Sequence, residues 1–192
     1  MLQEIVISGF GGQGVLSMGK ILAYSGMIEN KEVSWFPAYG PEQRGGTANV
    51  TVIISDEAIS SPIVNEFDIA IVLNQPSLDK FEEKVKPGGS LIYDGQGINK
   101  KVQRKDINVY RIDAMDESLK MNNTKVFNMI IVGGLLKISP MVKLENVMLG
   151  LKESIPERHH HLLPINEQAI LRGMEIIRQE TFYQKATSSI SF

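Results

Sequence analysis

The chain has 192 residues, of which 43% are hydrophobic and 22% charged, with 20 Lys and Arg against 22 Asp and Glu for a net charge of −2. This is enough sequence for one globular domain with a full core, and it excludes a disordered, collagen-like or coiled-coil chain. Zero cysteines exclude disulfides, a thiolate nucleophile and Cys-ligated zinc or iron–sulfur clusters within this chain.

The near-neutral balance gives no whole-chain field for nucleic acid or an anionic membrane, so neither is expected as a partner. Met1-Leu2-Gln3-Glu4 lacks the basic opening of a signal peptide. The longest apolar run, Val126 to Leu136, carries Asn128 and falls short of the ~18–20 residues of a membrane span. A cytoplasmic location is the expectation that fits a cysteine-free chain.

Taken in chain order, Ile5-Val6-Ile7 reads as a buried strand that ends at a glycine cluster, Gly9 to Gly14. Helical spacing follows over Val15 to Ile28, so strand, glycine turn and helix open a βα unit. Val33 to Phe36 reads as a second strand stopped by Pro37, and residues 37–46, PAYGPEQRGG, as a loop. Strands are predicted at Asn49 to Ser55 and Asp68 to Leu73. A helix is predicted over 77–85, led by Pro76 and stopped by Lys86-Pro87-Gly88-Gly89. Ser90 to Tyr93 and Asn108 to Ile112 are further strands. Val126 to Leu136, Leu144 to Ser154 and Glu167 to Gln179 read as helices. The alternation predicts a single α/β domain over 1–183 with a loose C-terminal tail at 184–192. Its sheet is doubly wound and mostly parallel, with a Rossmann-like βα glycine loop and a helical C-terminal third.

Gly9-Phe10-Gly11-Gly12-Gln13-Gly14 fits G-x-G-x-x-G between a strand and a helix. Glycines allow the tight turn and the close approach of backbone N–H groups to an anion, and the helix adds its positive end. Tight strand–helix packing is the competing explanation. A dinucleotide enzyme would want an acid at the end of the second strand, yet that strand ends Trp35-Phe36-Pro37 and Glu32 stands at its beginning. Gly14 through Gly19-Lys20 imitates a P-loop, but Ile21 replaces the Mg²⁺-binding hydroxyl and the match falls inside the predicted helix.

Tyr39-Gly40-Pro41-Glu42-Gln43-Arg44-Gly45-Gly46 sets one guanidinium among glycines, suited to clamp a phosphate or carboxylate bidentately. A surface pair with Glu42 or Asp56 is the alternative. Both loops follow predicted parallel strands, which would gather them at the carboxyl edge of the sheet, where ligands bind. The expected contacts are therefore Gly11, Gly12, Gln13 and Gly14 as backbone donors, with Gln13 alternatively orienting a substrate, and Arg44, Gly45 and Gly46 as the clamp. No catalytic or metal-ligating residue is expected. His159-His160-His161 reads as a solvated or interface segment, since adjacent helical residues diverge. Gly133-Gly134 is suited to close helix or subunit approach. Trp35-Phe36 reads equally as core or as a partner-facing anchor.

GFGGQGV at Gly9–Val15, the stretch Pro37–Val64, DIAIVLNQPSLDKF at Asp68–Phe81, and Asn166-Glu167-Gln168-Ala169 with Gly173 together resemble the gamma subunit of 2-oxoacid:ferredoxin (or acceptor) oxidoreductases, over most of the chain. The flavour is closest to the 2-oxoglutarate or branched-chain 2-oxoacid type. The resemblance implies a cytoplasmic heteromeric complex of anaerobic metabolism that decarboxylates a 2-oxoacid, passes electrons to ferredoxin and forms an acyl-CoA. It places thiamine diphosphate, Mg and iron–sulfur clusters in partner subunits: alpha, beta and a ferredoxin-like delta. The gamma chain would hold no cofactor alone, would contact coenzyme A, and would be inactive in isolation. Asp94-Gly95 with Asn122-Asn123 imitates a thiamine-diphosphate/Mg²⁺ signature, but Tyr93 stands where that motif has glycine, and a strand-end turn is preferred. A stand-alone nucleotide-binding dehydrogenase and a purely structural assembly subunit are the alternatives.

Overall fold

The computed structural model describes residues 1–39 and 47–180, with the Tyr39 side chain outside the description. Seven strands form one sheet: β1 (Leu2–Phe10), β2 (Glu32–Tyr39), β3 (Thr47–Ser55), β4 (Phe67–Val72), β5 (Val85–Asp94), β6 (Asn108–Ile112) and β7 (Arg178–Gln179). Their order is β2-β3-β1-β4-β5-β6-β7. The centre, β1-β4-β5-β6, is parallel. β2 and β3 form an antiparallel pair on one flank, and β7 pairs antiparallel on the other. The helices are α1 (Val15–Ile28), α2 (Gln75–Phe81), α3 (Ala114–Lys120), α4 (Phe127–Ile138), α5 (Leu144–Ser154) and α6 (Leu163–Ile176).

The expected α/β sheet with a parallel core and a helical C-terminal third is therefore present. Central strands are apolar on both sides because both faces are covered. Ile5 and Ile7 pack with α1, α4, α5 and α6 on one face. Val6 turns the other way, toward Leu78 and Phe81 of α2 and toward Val102 and Ile107. Each such fully buried aliphatic side chain stabilises the fold by roughly 1.5–3 kcal/mol.

The differences from the sequence reading have local physical reasons. Pro37 does not stop β2, which continues to Tyr39; β2 is an edge strand, with a side that needs no ladder N–H. Lys86 to Gly89 does not end a helix but lies inside β5, where the register with β4 shifts and Gly88 takes a φ of 79°. Helix α3, which the sequence reading did not place, has acids in its first turn and Lys120 in its last, and its first turn is capped from β5: Ala114 N–H donates to the Asp94 carboxylate over 2.9 Å and Met115 N–H over 3.2 Å. Helix α6 begins at Leu163, ahead of the expected Glu167, and its end at Ile176 lets Arg178–Gln179 join the sheet. The expected tail at 184–192 lies outside the described residues. No helix among the described residues is long and apolar enough to cross a membrane.

Of the expected pair, Gly133 brings two helices together, while Gly134 makes room for the side chains of Ile112 and Ile177. A Cβ at Gly133 would collide with the backbone carbonyl of Ile170 on α6, and a Cβ at Gly173 with that of Ile130 on α4. The two helices thus touch backbone to backbone.

Candidate functional site

At the carboxyl end of β1 the chain turns into α1 through Gly11 to Gly14. Gly12 and Gly14 take φ values of 94° and 75°, which side chains rarely adopt. Gln13 braces this turn: its Oε1 accepts the Phe10 N–H at 2.6 Å and its Nε2 donates to the Leu73 carbonyl at 3.3 Å. Its own N–H donates to the Phe10 carbonyl at 3.2 Å. Gly9 leaves room for that amide, since a Cβ there would sit 2.5 Å from Gln13 Oε1. Gln13 therefore engages both ends of its amide within the protein, at the end of β1 and at Leu73 just past β4.

Several donors around the turn are left over. Among the described residues the N–H groups of Gly11, Gly12 and Gly14 meet no acceptor. Helix α1 has no side-chain cap and no acid in its first turn, so its positive end is uncompensated. Asn74 follows β4 at the same edge and is 2% exposed. Its Oδ1 accepts the Ser77 N–H at 2.9 Å, while its Nδ2 has no partner among the described residues. A buried orphan donor of this kind costs about 1–3 kcal/mol unless something accepts from it. The edge is thus rich in donors and suited to oxygen anions.

Arg44, Gly45 and Gly46 lie outside the described residues. The strands on either side of 40–46 are described. β2 is not the parallel strand that the sequence reading placed before this loop: it pairs antiparallel with β3, which pairs antiparallel with β1. Two antiparallel steps leave β2 running in the direction of β1. In consequence Thr47 pairs with Phe10, the residue just before Gly11, and Ala48 pairs with both Gly9 and Tyr39. Both ends of the 40–46 stretch therefore join the sheet at the edge that carries the glycine turn.

Beside this turn opens a cavity of about 770 Å³, bounded by α1, α4, α5, the 3-10 turn at Glu157–Leu162 and the start of α6. Ile21, Met129 and Leu151 give it an apolar floor. Asn128 links it to the turn: it lines the cavity, and a Cβ on Gly14 would sit 2.7 Å from its Nδ2. His159 and His161 also line it, their rings 6.4 Å apart. His160 instead lies against the chain, with Nε2 3.1 Å from the Lys152 carbonyl. Among the described residues no three His, Cys, Asp or Glu gather as a metal site. Sequence reasoning missed this cavity and Asn74, because the lining comes from segments some 150 positions apart and no local spacing joins them.

Other singled-out groups serve structure. Buried Asp94 caps α3 and also accepts the Gln96 N–H, and burial raises its pKa above the usual carboxylate range. Asn123 accepts the Lys125 N–H within a 3-10 turn. Asp94 and Asn123 thus cap helical turns, in keeping with a strand-end reading. Trp35 and Phe36 are 38% and 52% exposed, although the Trp35 indole backs onto Gly19 of α1.

Residues 4–176 match the family described as pyruvate ferredoxin/flavodoxin oxidoreductase. The 2-oxoglutarate synthase subunit KorC of Methanocaldococcus jannaschii is 32% identical over 184 residues, 93% of this chain and 96% of that relative. The ketoisovalerate oxidoreductase subunit VorA of Methanothermobacter thermautotrophicus is 54% identical over 91 residues, which are 47% of this chain and only 19% of that longer relative. The crystal structure of the keto/oxoacid ferredoxin oxidoreductase gamma subunit from Geobacter sulfurreducens superposes with a TM-score of 0.78 at 26% identity, covering 92% of this chain and 96% of that one.

Proposed function

Because the chain belongs to the pyruvate ferredoxin/flavodoxin oxidoreductase family, we propose that it is the gamma subunit of a multi-subunit, thiamine-diphosphate-dependent 2-oxoacid:ferredoxin oxidoreductase. In that cytoplasmic assembly it presents an anion site to coenzyme A. Alpha, beta and ferredoxin-like delta partners hold the thiamine diphosphate, Mg and iron–sulfur clusters, and the isolated chain does not turn over. The gamma subunit from Geobacter sulfurreducens, alike along nearly its whole length, supports the subunit role. The observation that carries the coenzyme A reading is the gathering of unpartnered donors at one sheet edge. Gly11, Gly12 and Gly14 offer N–H groups there, α1 its uncapped end and Asn74 its orphan amide. Coenzyme A brings a pyrophosphate, whose oxygens suit such a turn.

On this reading Gln13 holds the turn in shape through its side chain, and Arg44, followed by Gly45 and Gly46, supplies the charge for the phosphates. The chain's own part is binding and orientation of the acyl acceptor, which lowers the entropic cost of acyl transfer. The test is Arg44→Ala in the reconstituted complex. The expected result is a KM for coenzyme A raised about tenfold or more, the loss of one charge-assisted contact, with 2-oxoacid-dependent reduction of the clusters unchanged. A complex whose coenzyme A dependence is unaltered removes Arg44 from the clamp.

A further inference from the structure

A second cavity, of about 400 Å³, opens at the carboxyl ends of β5 and β6. It lies on the α2 side of the sheet, since Tyr93 and Ile98 on its wall pack in one cluster with Leu78 and Phe81. The remaining wall carries three cations, Lys100, Lys101 and Arg111, against one carboxylate, Glu180. Separate segments fix these groups in place. The N–H groups of Asn99 and Lys100 donate to Gln75 Oε1 over 3.0 and 2.9 Å, which pins the lysine-bearing connection to α2. Arg111 donates from Nε to Asp113 at 2.8 Å, and its two terminal nitrogens have no partner among the described residues. Lys101 makes no ion pair among the described residues, and Lys100 approaches only Asp79, at 4.0 Å.

The cavity already receives one carboxylate. Tyr93, 8% exposed, donates its phenol O–H to Glu180 Oε1 at 2.6 Å. Burial, and after it the Glu180 carboxylate, push the Tyr93 pKa well above its ordinary value, so the phenol stays a donor near neutral pH. Glu180 leaves the lining cations in excess, and a further anion relieves their mutual repulsion. The volume is at the lower end of the range of small-molecule sites. Ile98 adds an apolar stretch of wall, for which bare phosphate or sulfate would have no use. The planar fork of Arg111 matches one carboxylate, and the paired lysines suit a second. We infer that this cavity binds a short dicarboxylate, one end on the terminal nitrogens of Arg111, the other on Lys100 and Lys101, with its methylenes against Ile98. Glu180, held by Tyr93, lowers the affinity through like-charge repulsion. No bond is made or broken, and the site does not rest on the coenzyme A reading.

The experiment is calorimetric titration of the full chain with succinate at low ionic strength, where exposed charges are least screened. It compares the unaltered protein with Arg111→Gln, with the double variant Lys100→Ala/Lys101→Ala and with Glu180→Gln. Both lysines are exposed, so the double variant keeps the parent's far-UV spectrum and melting temperature even if Arg111→Gln does not. The expected result is saturable binding that weakens about tenfold in Arg111→Gln, the loss of a bidentate charge-assisted pair, and about threefold or more in the double lysine variant. Glu180→Gln binds about threefold more tightly, because glutamine keeps an oxygen for Tyr93 and drops the charge. A purely structural role for these residues would not give that opposite sign. Butyrate, with one carboxylate fewer, binds about tenfold less tightly than succinate. No saturable heat from the unaltered chain at millimolar succinate overturns the site, as does a double lysine variant that binds within twofold of the parent. A Glu180→Gln chain that binds no more tightly than the parent, or butyrate that binds as well as succinate, overturns it equally.

Discussion

At the α4–α6 crossing, Gly133 and Gly173 each face a carbonyl of the opposite helix. At the β1–α1 turn, Gly12 faces open space with nothing within 4 Å of where a Cβ would stand. The first pair removes atoms so that two backbones can touch. The second exposes backbone so that something outside the chain can touch it. The surroundings follow the same division. Around α4 and α6 the polar groups are matched, with Arg172 of α6 on Glu117 of α3 at 2.8 Å. Around the turn they are unmatched: bare N–H groups, an uncapped helix and the Asn74 amide. Residue type alone does not separate a packing glycine from a binding glycine; what lies above the Cα does.

The contrast is broken most severely at the crossing. Gly133→Ala and Gly173→Ala each force a methyl into backbone that has no side chain to move aside, at a cost of about 3 kcal/mol, read as a lower urea midpoint of the isolated chain. A loss below about 0.5 kcal/mol would mean the helices slide apart freely, and the tight crossing would not be a constraint on the fold.

Gly14→Ala sharpens the comparison from the other side. Its φ of 75° disfavours any side chain, and the methyl would meet Asn128. The expected loss is about 1–2 kcal/mol, read as a lower urea midpoint of the isolated chain. A midpoint shift equivalent to less than about 0.5 kcal/mol would show that the turn relaxes around the methyl without strain.

Gly12→Ala is smaller still in stability, about 1 kcal/mol from its φ of 94° alone. On the proposed coenzyme A reading it raises the KM for coenzyme A in the complex all the same, because nothing in the chain stands within 4 Å above it. A variant that lost stability but kept its KM would class Gly12 with the packing glycines.

The smallest effect separates the regions by pH. Glu117 has its pKa lowered below 4.5, chiefly by the hydrogen bond from Arg172, with Lys120 adding to it. The unfolded chain therefore binds this proton more readily, and the contribution is present above pH 4.5 and is lost as pH falls through the lowered value. Glu117→Gln should flatten the acid limb of the stability–pH curve below that point. An unchanged acid limb would show that the Arg172 pair does not survive in solution.

Much of the sheet was legible in one dimension. Ile5 to Ile7, Asp68 to Leu73 and Asn108 to Ile112 announce themselves as short apolar runs, and α1 follows its glycine turn with the boundaries its periodicity predicts. α3 was passed over although Asp116, Glu117 and Lys120 sit at its ends; only the cap that fixes its start, Asp94 from another strand, could not be read locally. The β5 bulge was misread because Pro87, Gly88 and Gly89 carry the same letters in a helix stop as in an irregular strand.

The sequence by itself determined the parallel centre, the glycine turn and the family. Periodicity, turn chemistry and long motifs are properties of neighbouring residues, and they survive without coordinates. Only the tertiary structure decided which donors stay unpaired and which cations share a wall. Satisfaction of a hydrogen bond, and the absence of a counter-charge, depend on everything that folds up against a group. Asn74 acquires its meaning only once the fold buries its amide nitrogen with no acceptor among the described residues.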